Sequence, residues 1–119
     1  MKRPKEITAQ FLDELEKHMS ELKVGKAEST FEVKDFAELL HIHPTHLSNT
    51  IKEELQKSPC ELYENRLMEL ARELILTTDL SIAAIARQLT YDPSNFTKFF
   101  KHFEGITPKD FRERGKQKF

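Results

Sequence analysis

Apolar residues along this chain recur at helical spacing and nowhere alternate for long, a pattern of helices without strands. Ile7, Phe11, Leu12, Leu15, Met19 and Leu22 outline an amphipathic helix over about residues 6–23. Lys23 to Thr30, with Gly25, small residues and charge, reads as a linker. A short helix over Val33 to Leu40 turns Val33, Phe36, Ala37 and Leu40 inward, and His41-Ile42-His43 forms a turn. Pro44 suits the first position of the next helix, where its missing N–H costs nothing; that helix runs to about Leu55 and buries Leu47 and Ile51. Ser58-Pro59-Cys60-Glu61 is a capping box opening the longest helix, to about Thr77, with Leu62, Leu67, Leu70, Ala71, Leu74 and Ile75 on its apolar side. Ser81 caps a helix over Ile82 to Leu89, and Asp92-Pro93 opens another that ends near Gly105, a position suited to a left-handed cap. Thr107-Pro108-Lys109-Asp110 is a second box, opening a short last helix that should stop before Gly115 and leave Arg112 to Phe119 as a fraying tail.

The pattern also repeats. Shifted by 49 residues, Ala37, Leu40, Pro44, Lys52 and Pro59 fall on Ala86, Leu89, Pro93, Lys101 and Pro108 without a gap. Conservative pairs lie between: Ile42 with Tyr91, Thr45 with Ser94, Leu47 with Phe96, Ser48 with Thr97, Ile51 with Phe100, Ser58 with Thr107. A period of that size marks a duplicated supersecondary unit. The expected architecture is all-α, about seven helices, with two helix-turn-helix lobes (about 33–55 and 82–103) joined by a long connecting helix (about 59–77). Residues 1–30 form an N-terminal helix and linker ahead of a domain over 31–119.

A helix-turn-helix works because its first helix braces the second, whose N-terminal residues then reach base edges in the major groove. Ala37 and Ala86 are small where two helices must approach closely, and Ile42 and Tyr91 plug the turns. Leu47 with Ile51, and Phe96 with Phe100, anchor the inner faces. The outer faces then show Thr45, His46, Ser48, Asn49 and Lys52 in the first repeat, and Ser94, Asn95, Thr97, Lys98 and Lys101 in the second. Short hydrogen-bonding groups suit base edges and cations suit phosphates. Lys109 and Arg112, from the basic C-terminal stretch, complete the candidate DNA-contacting set.

Net charge, at −1, does not by itself favour such a partner. Residues 81–119, however, carry eight Lys and Arg against four Asp and Glu, while residues 1–80 carry eleven against sixteen, a split of +4 and −5. The surplus lies in Lys98, Lys101, Lys109, Arg112, Arg114, Lys116 and Lys118 and permits a phosphate-binding surface. A single cysteine, Cys60, excludes an internal disulfide and fits a reducing compartment. No apolar run approaches a membrane span and no signal-peptide pattern opens the chain, so a cytoplasmic protein with no membrane partner is expected.

From about Phe31 to Arg114 the chain resembles the DNA-binding domain of AraC/XylS-type bacterial transcription regulators. The resemblance rests on Ile82-Ala83-Ala84-Ile85-Ala86, then Phe96-Thr97-Lys98-Phe99-Phe100-Lys101, then Gly105-Ile106-Thr107-Pro108-Lys109-Asp110-Phe111-Arg112. Arg66-Leu67, Ala71 and Asp79-Leu80-Ser81-Ile82 match the connecting helix and the entry to the second repeat. It implies two readers, Pro44–Leu55 and Pro93–His102, entering major-groove segments about 34 Å apart, compatible with a connecting helix of roughly 27 Å. The implied site is asymmetric and about 20 base pairs long, bound by a monomer. It also implies a promoter-bound regulator that contacts RNA polymerase, commonly as an activator. No effector or dimerisation domain of the family is expected: thirty residues are too few for a ligand pocket, and Met1 with a first helix leads us to expect a whole protein.

This sequence departs from the family where His41 and Thr90 replace turn glycines, Gln56 a helix-ending glycine and Asn49 an arginine, and where the second turn is one residue shorter. His41 and Thr90 must take the conformation the turn needs, at some backbone strain. Repeat one then offers only Lys52 as a cation, so it should contribute less affinity, with Asn49 reading adenine. The alternative function is a helical protein-interaction module that has lost DNA reading, motivated by Asn49 and the acidic first 80 residues.

Other features read as structural. His41, His43 and His46 crowd one turn but point in different directions, with His43 as an N-cap, so no metal site is expected. Cys60 sits in a helix's first turn, where a dipole could favour a thiolate, yet a half-buried structural thiol is expected. Phe96, Phe100 and Phe103 share a face and read as core, with Phe99 off it. The first helix is expected to cap the first lobe, the alternative being a partner-binding or dimerisation element. No catalytic triad and no phosphate-cradling glycine loop occurs, so neither an enzyme nor a cofactor is expected.

Overall fold

The computed structural model describes residues 2–117, which form seven α-helices and no strand. They are α1 (Pro4–Lys23), α2 (Val33–Leu40), α3 (Pro44–Leu55), α4 (Pro59–Thr77), α5 (Ile82–Gln88), α6 (Pro93–Glu104) and α7 (Pro108–Gln117). None is long and apolar enough to cross a membrane. The chain divides into two compact units: Met1–Ser20 with Phe31–Arg66, and Glu21–Thr30 with Leu67–Phe119. The boundaries fall inside α1 and α4, and each unit holds one copy of the repeat.

In the first unit, Ile7, Phe11, Leu15 and Met19 of α1 are buried with Phe36, Ala37 and Leu40 of α2, Leu47 and Ile51 of α3, and Tyr63 of α4. An aromatic cluster fills its centre: the Phe36 ring lies 5.2 Å from Phe11 and 5.3 Å from Phe31, both edge-on. His18 is buried among them, stacked on Phe31 at 4.0 Å, with Nε2 2.9 Å from the Tyr63 hydroxyl. That bond gives one of the two ring nitrogens a polar partner. Arg66 grips Glu16 from Nε (2.7 Å) and Nη2 (2.8 Å). Leu12, expected on the inner stripe, is 38% exposed, because one step from Phe11 turns a side chain about 100° around the helix.

In the second unit, Leu22, Leu67, Leu70, Ala71, Leu74 and Ile75 are buried with Ile85, Ala86 and Leu89, and with Phe96 and Phe100 of α6. Phe111 of α7 packs edge-on against Phe100 at 5.4 Å, and Arg72 pairs with Glu104. Phe103 is 40% exposed, contrary to its expected core position. It lies in the last turn of α6 and rests its ring on Phe99, 4.9 Å away, rather than in the core.

Gly115 does not end the last helix: α7 runs through it to Gln117. A Cβ there would meet Leu76 Cδ2, the end of an exposed side chain that can turn aside. The frayed tail expected from Arg112 is therefore helical through Gln117; Lys118 and Phe119 lie outside the described residues. Residues 23–30 are not a free linker either, because Gln88 and Thr90 hold that segment to the second unit.

Candidate nucleic-acid interface

The 49-residue repeat holds down to single backbone bonds. At the end of α2, the His41 N–H reaches the Glu38 carbonyl (3.1 Å) and the Ile42 N–H the Ala37 carbonyl (3.0 Å). At the end of α5, Thr90 reaches Arg87 (2.9 Å) and Tyr91 reaches Ala86 (2.8 Å). His41 and Thr90 both sit in the left-handed region, at φ 58° and 67°. Left-handed backbone turns the chain sharply after the brace helix, so both turns have one shape despite lacking glycine. Ala37 and Ala86 are buried in the matching places.

Each second helix begins and ends alike. His43 caps α3 by accepting the Thr45 N–H on Nδ1 (3.1 Å); Asp92 caps α6 by accepting from Ser94 (3.1 Å) and Asn95 (3.3 Å). Pro44 and Pro93 follow at the first helical position. The C-caps are Gln56 (φ 59°) and Gly105 (φ 88°), whose N–H groups return to Lys52 (2.9 Å) and Lys101 (2.8 Å). The next helices open on Ser58 and Thr107, whose hydroxyls accept the Glu61 and Asp110 N–H groups, each at 3.1 Å.

Fixed this way, each second helix buries one face and presents the other. Leu47, Thr50 and Ile51 of α3, and Phe96 and Phe100 of α6, point inward. Thr45, His46, Asn49 and Lys52 are exposed, and so are their repeat partners Ser94, Asn95, Lys98 and Lys101. Ser48 and Thr97 are both half-buried, and the Thr97 hydroxyl donates back to the Pro93 carbonyl (3.1 Å), leaving its oxygen as an acceptor. Among the described residues, no ion pair engages Lys52, Lys98, Lys101 or the exposed Lys109.

Arg112 has another task. Its Nε donates to the Ile75 carbonyl (3.0 Å) and its Nη2 to the Thr78 carbonyl (3.3 Å). The guanidinium thus satisfies acceptors at the C-terminus of α4, where helix carbonyls lack internal partners and a cation is favoured. Arg112 is half-buried there, and the structure removes it from the exposed cation set. Periodicity gives no sign of this, because the carbonyls lie more than thirty residues away in sequence.

Cys60 is exposed rather than half-buried. Partial desolvation and the Glu64 carboxylate, whose Oε1 lies 3.7 Å from Sγ, raise its pKa above the ordinary thiol value, opposite to activation by a helix dipole.

A profile described as "Helix-turn-helix domain" matches residues 36–114. The chain belongs to the AraC-type helix-turn-helix family. Within that family it is 34% identical over 88 residues to the HTH-type transcriptional regulator YtdP of Bacillus subtilis, covering 73% of this chain and 11% of that protein. It is 29% identical to the arabinose operon regulatory protein of Escherichia coli, covering 72% of this chain and 30% of that protein. The AraC-type chain therefore spans less than a third of either relative. Among solved structures, it is similar to the C-terminal domain of AraT, a response regulator from Geobacillus stearothermophilus, at 32% identity and TM-score 0.71 over 84% of each chain. It is also similar to the C-terminal domain of the response regulator yesN from Fusobacterium nucleatum, at 26% identity and TM-score 0.76 over 88% of this chain and 96% of that one. Both of those sequence relatives carry the names of regulators.

Proposed function

We propose that this chain is a cytoplasmic, sequence-specific double-stranded DNA-binding transcription regulator that acts at promoters as an activator. The observation that supports it most is the matched exposure of the two outer faces. Four polar positions on α3 and their four repeat partners on α6 are all open to solvent while the inner faces are buried. In this reading Asn49 and Lys98 read bases, Thr45, His46, Ser94 and Asn95 add contacts from the first turns, and Lys52, Lys101 and Lys109 neutralise phosphates. Ser48 and Thr97, half-buried, serve as acceptors at the groove edge. The two readers differ in sequence, so a monomer would recognise an asymmetric operator, and RNA polymerase would be the second partner.

The test is a selection of bound genomic fragments followed by a salt titration on the best one. Affinity should fall with salt at a slope of about −0.9 per phosphate contact. Binding that ignores salt, or no preference among fragments, would replace this function by the protein-interaction module.

A further inference from the structure

Three hydrogen bonds hold the end of α1 and the segment after it to the second helix-turn-helix, all within one compact unit. Gln88, the last residue of α5, donates from Nε2 to the carbonyls of Lys23 (2.6 Å) and Leu22 (3.4 Å). The hydroxyls of Thr30 and Thr90 lie 2.8 Å apart in a part-buried contact. Between these anchors the segment is folded on itself: the Gly25 N–H returns to Leu22 (3.1 Å) and the Lys26 N–H to Glu21 (2.9 Å). Leu22 at its root is fully buried. Residues 21–30 therefore form a strap anchored at both ends.

Its far anchor is the turn residue between brace and reader. Thr90 holds φ at 67°, and a β-branched side chain is among the least suited to that region. Such a conformation persists only where surrounding contacts over-determine it. The turn is held by the Thr90 and Tyr91 backbone bonds, and the Thr30 hydroxyl adds a side-chain contact to Thr90.

We propose that Thr30 is a positioning residue for the second reader: through its bond to Thr90 it holds the left-handed turn that sets α6 against α5. The strap, which precedes the family match at 36–114, is then a working part of the DNA interface. This rests on the DNA-binding function proposed above.

The test uses the full chain with Thr30→Val, which removes the hydroxyl at nearly constant shape, Thr30→Ser, which keeps it, and each in a Thr90→Gly background. Thr30→Val should weaken operator binding by about threefold to tenfold, the worth of one hydrogen bond, and blunt discrimination only at base pairs read by α6. Thr30→Ser should bind like the parent. In Thr90→Gly, which needs no support for a positive φ, Thr30→Val should cost nothing more. Hydrogen exchange in the DNA-free protein gives a second reading: the Thr90 and Tyr91 amides should exchange faster in Thr30→Val and not in Thr30→Ser, with α1 amides unchanged. Unaltered exchange at those two amides, or an equal affinity loss in the Thr90→Gly background, would overturn the proposal. If the parent chain shows no salt-dependent DNA binding, the proposed function falls and the exchange result alone decides the strap.

Discussion

The C-caps of α3 and α6 make the same backbone bond from different residues, which allows a mirrored experiment. Gly105 lies at φ 88°, and a Cβ built there meets nothing within 4 Å. Gly105→Ala therefore introduces no clash beyond its own backbone, and its cost is conformational. A non-glycine residue in the left-handed region costs about 1–2 kcal/mol. Restricting the unfolded chain returns about 0.4–1 kcal/mol. The expected net loss is about 1 kcal/mol, or a fall in Tm of roughly 4 °C for a chain of this size. Gln56 already bears the left-handed cost at φ 59°. Gln56→Gly would remove about 1 kcal/mol of strain. It would also add about 0.4–1 kcal/mol of chain entropy and lose the exposed bond from Gln56 Nε2 to the Glu53 carbonyl, worth about 0.5 kcal/mol. Those terms nearly cancel, so Gln56→Gly should be close to neutral. Thermal and urea unfolding of both variants would measure this. A Gly105→Ala protein as stable as the parent, or a Gln56→Gly protein shifted by more than about 1 kcal/mol either way, would refute the reasoning.

Arg112→Met should cost about 2 kcal/mol of stability by stranding the Ile75 and Thr78 carbonyls, yet leave the salt dependence of DNA binding unchanged; a flatter salt slope with normal stability would return Arg112 to the DNA surface. Lys101→Ala should lower the salt slope by about one unit without altering operator preference, and an unchanged slope would take Lys101 off the phosphates. Lys98→Ala should cost about 1–3 kcal/mol and relax preference at one base pair, whereas equal losses on every sequence would make it a phosphate contact. The Cys60 thiol, with its pKa raised, holds less thiolate near neutral pH than an ordinary cysteine. Its alkylation should be slower than that of a small thiol at pH 7–8 and should accelerate in Glu64→Gln; faster alkylation than the small thiol would contradict the Glu64 contact.

Most helix boundaries were legible because their cues are local. Pro44, Pro59, Pro93 and Pro108 each open a helix, since proline's fixed φ suits that position and its absent N–H is not missed. The left-handed turns at His41, Gln56 and Thr90 were legible for a different reason: the repeat and the family resemblance marked them as glycine places held by other residues. Inner and outer faces of α3 and α6 followed from helical period alone, and the outer faces are as open as that period requires.

Long-range contacts decided the rest. Arg112 looked like one more cation in a basic stretch until α4 supplied two carbonyls. Gly115 looked like a stop, yet α7 continues through it to Gln117. His18 lies on the stripe of Phe11, Leu15 and Leu22, but only folding brings it Phe31 to stack on and a Tyr63 hydroxyl to bond. Residues 23–30 carry every local sign of a linker and become a strap only because Gln88 and Thr90, some sixty residues on, reach their carbonyl and hydroxyl groups. Capping and periodicity act within about two helical turns and can be written in neighbouring letters. Which polar group is consumed inside the protein, and which stays free for a partner, depends on groups that meet only when the chain has folded.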